Sequence, residues 1–212
     1  MFRNRLEAAR LLSEELISYK GKNAVIIAIP RGGLPVAGVL AQQLNLPLEV
    51  VLIKKIGHPS NKEYAIGAVS LTNIILDEQA ADIPMNYISD ETHRLRTILT
   101  KRLKQYYGNR KPREIKDKIA IIVDDGIATG NTILATAQLV REESPSKIIV
   151  AVPVAPRSTI LKLSSSLFID EVICLKQPTV FHAVGEFYED FDQVSDEEAI
   201  KLFEMYNNSE SI

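Results

Sequence analysis

Residues 119–132 read IAIIVDDGIATGNT, and the fold is decided by this string. Ile119, Ala120, Ile121, Ile122 and Val123 form an apolar, largely β-branched run with the length and composition of a buried strand. It stops at two carboxylates, Asp124 and Asp125, and a loop of small residues follows: Gly126, Ala128, Thr129, Gly130, Asn131 and Thr132. Residues 133–140 then have helical character. Strand, acidic pair, tight loop and helix build an anion cradle. Glycines let the backbone approach, loop N–H groups and threonine hydroxyls donate, and the helix N-terminus adds a favourable dipole. No Gly-Lys-Ser/Thr stands at the spacing of a Walker loop.

Two negative charges at the mouth of a bare phosphate site would repel the ligand. They make sense if the ligand also carries vicinal hydroxyls, which carboxylates accept in pairs. A sugar 5-phosphate meets both requirements. The string resembles the 5-phosphoribosyl 1-diphosphate (PRPP) motif of the type I phosphoribosyltransferases, two acidic residues and then a loop containing Thr-Gly-x-Thr. The resemblance implies that Asp124 and Asp125 hold the ribose 2- and 3-hydroxyls. It gives the 5-phosphate to Gly126, Ala128, Thr129, Gly130, Asn131 and Thr132.

A second loop supports the first. Residues 24–29 (AVIIAI) have the continuous apolar character of a central parallel strand. They lead into Pro30, Arg31, Gly32, Gly33 and a helix over 36–44. Glycines here permit unusual backbone geometry, and a guanidinium fork matches phosphate oxygens. The string RGGLPVAGVLA resembles the pyrophosphate loop of the xanthine–guanine phosphoribosyltransferases, which implies that Arg31, Gly32 and Gly33 meet the diphosphate of PRPP. The next strand, 48–53, ends at Lys54 and Lys55, where open α/β sheets bind ligands. By resemblance these lysines open a mobile lid that folds over PRPP and contact its pyrophosphate; Lys54 stands where related transferases carry an Arg, so the family role carries over more directly to Lys55. Polar turn-forming residues 57–63 fit a lid loop, and its histidine, His58, could serve as a general acid or base, although a lone loop histidine is more commonly an ordinary loop residue.

The length of 212 residues suits one substantial core, read as a single phosphoribosyltransferase domain over 1–212. Within it, 54–118 is an insertion of lid loop, small hairpin (65–70 with 73–76) and long helix (88–107), and 176–212 is a hood with a C-terminal helix. The fold class is α/β, a doubly wound and mainly parallel sheet, with PRPP at the switch point between the strands ending at Ile29 and Val123. Composition is that of a globular protein, 46% hydrophobic and 25% charged, with a formal net charge of −2. No apolar run reaches the roughly 18 residues of a membrane span. One cysteine, Cys174, cannot form an internal disulfide and reads as a small core residue, so a cytoplasmic setting is expected.

Residues 2–19 read as an amphipathic cover helix, with packing as its role. Residues 94–118 carry ten Lys or Arg against Glu114 and Asp117. A solvated face is the commoner origin of such a run, ahead of a nucleic-acid or subunit surface, and nucleic acid is not an expected partner. Strands are expected over 147–152 and 171–175, with a short helix at 158–163 capped by Ser158 between them. Ser195, three residues before Glu198, caps the last helix. Residues 181–191 hold four aromatics, Phe181, Phe187, Tyr188 and Phe191. They stack on an acceptor ring or form the hood's own core, and Phe181 and Tyr188 are the candidate acceptor contacts.

Nearly all of the chain resembles a bacterial family of stand-alone phosphoribosyltransferases of unsettled substrate. The implied reaction is Mg²⁺-dependent transfer of ribose 5-phosphate from PRPP to a nitrogen nucleophile, a nucleobase or related heterocycle, releasing pyrophosphate. The residues expected to carry it are Asp124, Asp125, Lys55 and Arg31. The metal is expected on substrate and water, with no protein ligand named. A PRPP- or nucleotide-sensing regulator of the same fold, binding nucleic acid or protein, is the alternative, and a homodimer stands among the open assembly states. In the 6-oxopurine transferases an acidic residue precedes the Thr-Gly of the PRPP loop. Here Ala128 stands there, as in the adenine-type pattern, and it can neither accept a proton nor balance a developing charge.

Overall fold

Five short apolar runs become five parallel strands of one sheet in the computed structural model, which describes residues 1–208. In chain order the elements are α1 (Arg5–Glu15), β1 (Ala24–Ala28), α2 (Gly33–Leu44), β2 (Leu48–Val50), β3 (Lys54–His58), β4 (Asn61–Val69) and β5 (Ile74–Leu76). There follow α3 (Met85–Tyr107), β6 (Ile119–Val123), α4 (Asn131–Arg141), β7 (Lys147–Val154), α5 (Arg157–Ser164), β8 (Glu171–Lys176) and α6 (Asp196–Asn208). The main sheet runs β2-β1-β6-β7-β8, so the chain leaves β1 in one direction and returns on its other side at β6. That reversal is the switch point at which open α/β sheets bind ligands. Ala28 lies opposite Val123, which brings the loops after β1 and β6 side by side.

Each central strand is buried on both faces, which explains its unbroken apolar sequence. Alternation still divides the residues: Ile26 and Ala28 face Leu12, Leu34, Leu40, Leu99 and Phe203 of α1, α2, α3 and α6. Val25 and Ile27 face Ile133, Ala137 and Val140 of α4 and Ile160 and Leu163 of α5. Helices on both faces make the sheet doubly wound, as expected. Among the described residues no helix is long and apolar enough to cross a membrane.

The structure corrects several expectations in detail. Residues 57–63 are not a free lid loop but the tip of a hairpin turning at 59–60: β3 pairs antiparallel with β4, and β4 with β5, making a second sheet of three strands. Ile56 and Ile66 are fully buried, and the hydroxyl of Tyr87 on α3 donates to the carbonyl of Gly57 at 2.6 Å. The polar composition belongs to the hairpin's wet side. Helix α6 is the C-terminal helix, and it joins the main core. Its Phe203 packs edge-on against Tyr106 and Tyr107 of α3 in the main core, because the apolar face of 196–208 matches the gap between α2 and α3. Residues 209–212 of that expected segment lie outside the described residues. Pro156, not Ser158, precedes α5, whose start has no side-chain cap, whereas the Ser195 hydroxyl does accept from Glu198 N at 3.0 Å. Asn4 caps α1 by accepting from Leu6 N and Glu7 N, and Leu6 points outward at 46% exposure.

Candidate functional site

The site grows from the paired ends of β1 and β6. The peptide bond between Pro30 and Arg31 is cis. Beyond it, Gly32 and Gly33 lie directly on the acidic pair. A Cβ on Gly32 would stand 2.2 Å from Asp125 Oδ2, and one on Gly33 would stand 2.7 Å from the carbonyl oxygen of Val123 and 3.0 Å from Asp124 Cα. No side chain fits either place, so the two loops come this close only because glycine occupies both positions. Motifs about ninety positions apart in sequence thus form one surface.

Asp124 accepts a hydrogen bond from Asp125 N at 2.9 Å. Although Asp124 keeps part of its surface exposed, enclosure of its carboxyl, and then the charge of Asp125, push it well above the ordinary carboxylate range. Burial also pushes Asp125 up, and the guanidinium of Arg5 pulls it back. Arg5 Nε donates to Asp125 Oδ2 at 2.8 Å, with both side chains only 12% exposed. The same guanidinium lies 3.9 Å over the ring of Phe191, and its Nη1 donates to the carbonyl of Asp192 at 2.8 Å. Packing alone is the role expected of residues 2–19. The charged residue reaching from α1 into the acidic pair corrects that reading. Nothing local distinguishes Arg5 from the other surface arginines of an amphipathic helix.

The loop from Gly126 to Thr132 is held from behind. Ile127 N donates to Val154 O at 2.9 Å, Thr159 Oγ1 donates to Ala128 O at 2.6 Å, and Lys162 Nζ reaches Thr129 O at 3.2 Å and Asn131 Oδ1 at 2.7 Å. Gly130, at φ +76, supplies the left-handed turn that starts α4. Ala128, Thr129, Asn131 and Thr132 remain exposed. Thr159 and Lys162 of α5 carry no signal in the sequence, since their part depends on the fold bringing α5 under the loop.

Arg31 extends toward α6, where its Nε stands 3.8 Å from Asp196 Oδ1, and Arg102 of α3 approaches the same oxygen at 3.9 Å. Lys55 lies on β3 and opens into a cleft of about 630 Å³ shared with Tyr64, Asp77, Asn131, Gln138 and Lys162. One expected pyrophosphate residue and one expected phosphate-loop residue therefore border one cavity. Lys54 pairs with Val69 in the hairpin register and is half-buried. His58 accepts from Ser60 N at 3.1 Å and so serves the hairpin turn.

The aromatic tail differs from its expected role. Tyr188 is 5% exposed, its ring stacked on Phe191 at 4.9 Å and tilted against Phe2 at 5.4 Å. Its hydroxyl donates to the carbonyl of Asp125 at 2.6 Å. Both faces are covered, so Tyr188 does not stack on an acceptor. It supports the acidic pair from below, because burial forces its hydroxyl to find a partner. Phe181, half-buried, stacks on Phe187 at 5.4 Å. Cys174 is half-buried in β8, with burial pushing its thiol up to about 11.

The basic run divides by residue type. All five arginines are engaged within the chain: Arg94 on Glu91, Arg96 on the carbonyls of Ser70 and Thr72, Arg102 near Asp196, Arg110 over Phe203 and Arg113 near Glu49. Lys101, Lys104, Lys111 and Lys116 are exposed. A solvated face with internal arginine anchors accounts for the composition. Among the described residues no group of three or more His, Cys, Asp or Glu gathers as a metal cage.

A family model described as a phosphoribosyl transferase domain matches residues 3–191. A Mycobacterium tuberculosis protein, recorded in strains CDC 1551 and H37Rv under the provisional name phosphoribosyl transferase, is 34% identical over 208 residues. The match takes in 96% of this chain and 46% of that protein, so the chain spans about half the length of the curated relatives it matches. The crystal structure of TT1426 from Thermus thermophilus is 35% identical, with a TM-score of 0.86 over 97% of this chain and 98% of that one.

Proposed function

This chain belongs to the phosphoribosyl transferase domain family, and from that premise we propose that it transfers ribose 5-phosphate from PRPP to a nitrogen nucleophile with release of pyrophosphate. The observation that carries the reading is the contact of the two loops, with Gly32 and Gly33 pressed onto Asp125 and Asp124. A ligand bearing a diphosphate next to a vicinal diol spans that junction.

In this reading the whole chain works as one transferase domain. Asp124 and Asp125 accept from the ribose hydroxyls and fix the sugar. Gly126 and residues 128–132 bind the 5-phosphate through backbone N–H groups and the hydroxyls of Thr129 and Thr132, while Thr159 and Lys162 hold the loop carbonyls away from it. Each hydrogen bond to the charged phosphate is worth roughly 1.5–3 kcal/mol net. The departing diphosphate gathers charge as C1 becomes oxocarbenium-like, and Arg31, Lys54 and Lys55 with the N–H group of Gly32 neutralise it, while Gly33, whose own N–H donates to Ile29 O at 3.1 Å, gives the diphosphate room by lacking a side chain. No nucleophile of the chain enters the reaction. The protein orients its substrates, stabilises the leaving group and excludes water through the β3–β4 hairpin. The carboxylates that meet at the loop junction are Asp124 and Asp125, and one of them is engaged by Arg5. This donor set fits Mg²⁺ carried on the substrate's diphosphate and water. When bound, the ion supplies further charge neutralisation for the leaving group.

The acceptor is a nucleobase or related heterocycle. Ala128 supplies no acid or base to the ring, help that is typically worth about 10²- to 10⁴-fold. Hypoxanthine, guanine and xanthine are therefore expected to be poor substrates. Phe181 is the tail aromatic retained as an acceptor contact.

The test is a screen of heterocyclic bases for pyrophosphate release from Mg–PRPP, alongside thermal melting with Mg–PRPP alone. Release with one class of base supports the reading. Efficient turnover of hypoxanthine or guanine overturns the argument from Ala128. A thermal shift without turnover of any acceptor turns the assignment toward a PRPP-sensing protein, and no shift at all overturns PRPP binding.

A further inference from the structure

Arg5 stands 120 positions before Asp125 and outside both loops, yet it makes the shortest charged contact to the acidic pair, 2.8 Å from Nε to Oδ2. We propose that Arg5 is a positioning residue of this site, holding the side chain of Asp125 in one orientation and in its charged form so that the sugar meets a fixed acceptor. The inference rests on the ribosyl-transfer reading.

Three observations carry it. The guanidinium is immobilised before it reaches Asp125, by the Phe191 ring 3.9 Å beneath it and by the carbonyl of Asp192 at 2.8 Å. The contact is enclosed, each side chain being 12% exposed, and enclosed ion pairs tend to cost as much in desolvation as they return. Stability alone is thus a weak reason to bury an arginine here. Charge balance supplies a stronger one, because two adjacent carboxylates repel a polyanionic ligand and one guanidinium cancels half of that. Among the described residues, the charged and titratable groups facing Asp125 are Asp124 on its own loop, Arg5 from α1 and the phenol of Tyr188 from the tail, with Cys174 of β8 behind that phenol. The loop after β1 presents Gly32 to it. Arg5 is the one cation in this set. It commits Oδ2 and so fixes the orientation in which the carboxyl group meets the sugar.

The experiment compares the parent with Arg5→Gln and Arg5→Lys. In ligand-free protein, the Asp125 carboxyl carbon is titrated by NMR. A neighbouring Arg typically lowers an Asp pKa by about 1–3 units, so Arg5→Gln is expected to move the titration upward by about that much, and Arg5→Lys to restore most of it. The acid limb of Mg–PRPP binding should move upward with it, raising KM for PRPP at low pH and recovering at high pH. An unmoved Asp125 titration in Arg5→Gln overturns the proposal. So does a loss of PRPP affinity that is uniform across pH, which marks a direct phosphate contact instead. If Arg5→Gln gives no cooperative melt, Phe191→Leu frees the guanidinium, and the same upward shift is expected; its absence overturns the proposal equally. The NMR arm needs no PRPP, so a parent that fails to bind Mg–PRPP overturns the ribosyl-transfer reading and leaves the Arg5 result standing by itself.

Discussion

The loop at 124–132 and the tail at 181–192 both converge on Asp125, and they do so in opposite ways. The loop is made of neighbours in sequence, and its exposed residues, Thr129, Asn131 and Thr132, face outward. The tail is made of residues brought in from far along the chain. Its chemistry-bearing groups are spent internally: the Tyr188 hydroxyl on the Asp125 carbonyl, the Phe191 ring under Arg5. In the proposed reading the loop touches the ligand, and the tail, Phe181 apart, holds what touches it. Identical residue types would be misassigned if this distinction were ignored, as the acceptor role expected of Tyr188 shows.

The comparison breaks most visibly in the loop. Asp125→Asn should abolish the thermal stabilisation by Mg–PRPP, about 2.7 kcal/mol at a hundredfold excess over Kd in the parent, while leaving a cooperative ligand-free melt. Turnover should fall on the order of 10²-fold, as for a misplaced substrate. If the variant instead keeps the full Mg–PRPP shift, the acidic pair does not read the ligand and the contrast collapses. Lys55→Ala comes next. The lysine borders the cleft with Asn131, so its loss should lower the single-turnover rate by about 10- to 100-fold, the loss of one charge-assisted hydrogen bond, and weaken ground-state PRPP binding less. Equal losses in rate and binding would remove the hairpin's role in the transition state.

Tyr188→Phe probes the other side. Deleting the hydroxyl leaves the Asp125 carbonyl without its partner, so urea unfolding should show a loss of about 1–3 kcal/mol. The acceptor's KM should not change. A changed KM with unchanged stability would return Tyr188 to the acceptor site. The smallest expected effect has the opposite sign. The folded-state pKa of Asp124 is raised, so the native state binds more protons than the unfolded chain, and stability falls as pH rises through the window between the unfolded and the folded pKa. Asp124→Asn should therefore raise the ligand-free melting temperature near neutral pH, and the gain should vanish below the unfolded pKa of about 3.9. A lowered melting temperature at pH 7 would show that the carboxylate is stabilised in the fold.

What the sequence reveals follows the same division. The strands of the main sheet are legible because burial on both faces demands unbroken apolar runs, as at 119–123 and 24–28. The two loops are legible because glycine and paired carboxylates are unusual directly after a strand. The β3 strand is not, because Lys54, Lys55, Gly57 and His58 carry the composition of a loop while Ile56 alone carries the apolar burial. Arg5, Thr159 and Lys162 are not, because each matters only through a partner 120, 31 or 31 to 33 positions away. Local pattern encodes local structure, and it has no means of recording which surface arginine will meet which carboxylate.

The pairing of the first residues with the tail also sets an order in time. Phe2 bridges to Tyr188 in parallel, with Phe2 N donating to Phe187 O at 2.7 Å and Glu189 N to Phe2 O at 2.8 Å. A chain leaving the ribosome holds every strand of the main sheet once Lys176 has emerged, but the clasp around Asp125 needs residues 187–192 as well. At synthesis rates of about 5–20 residues per second, the last strand of the sheet precedes this clasp by roughly one to three seconds. During that interval Asp125 lacks its phenol, and Arg5 lacks the ring on which it rests. A nascent chain with 177 to 186 residues outside the ribosome should thus already hold every strand of the parallel sheet while remaining unable to hold PRPP.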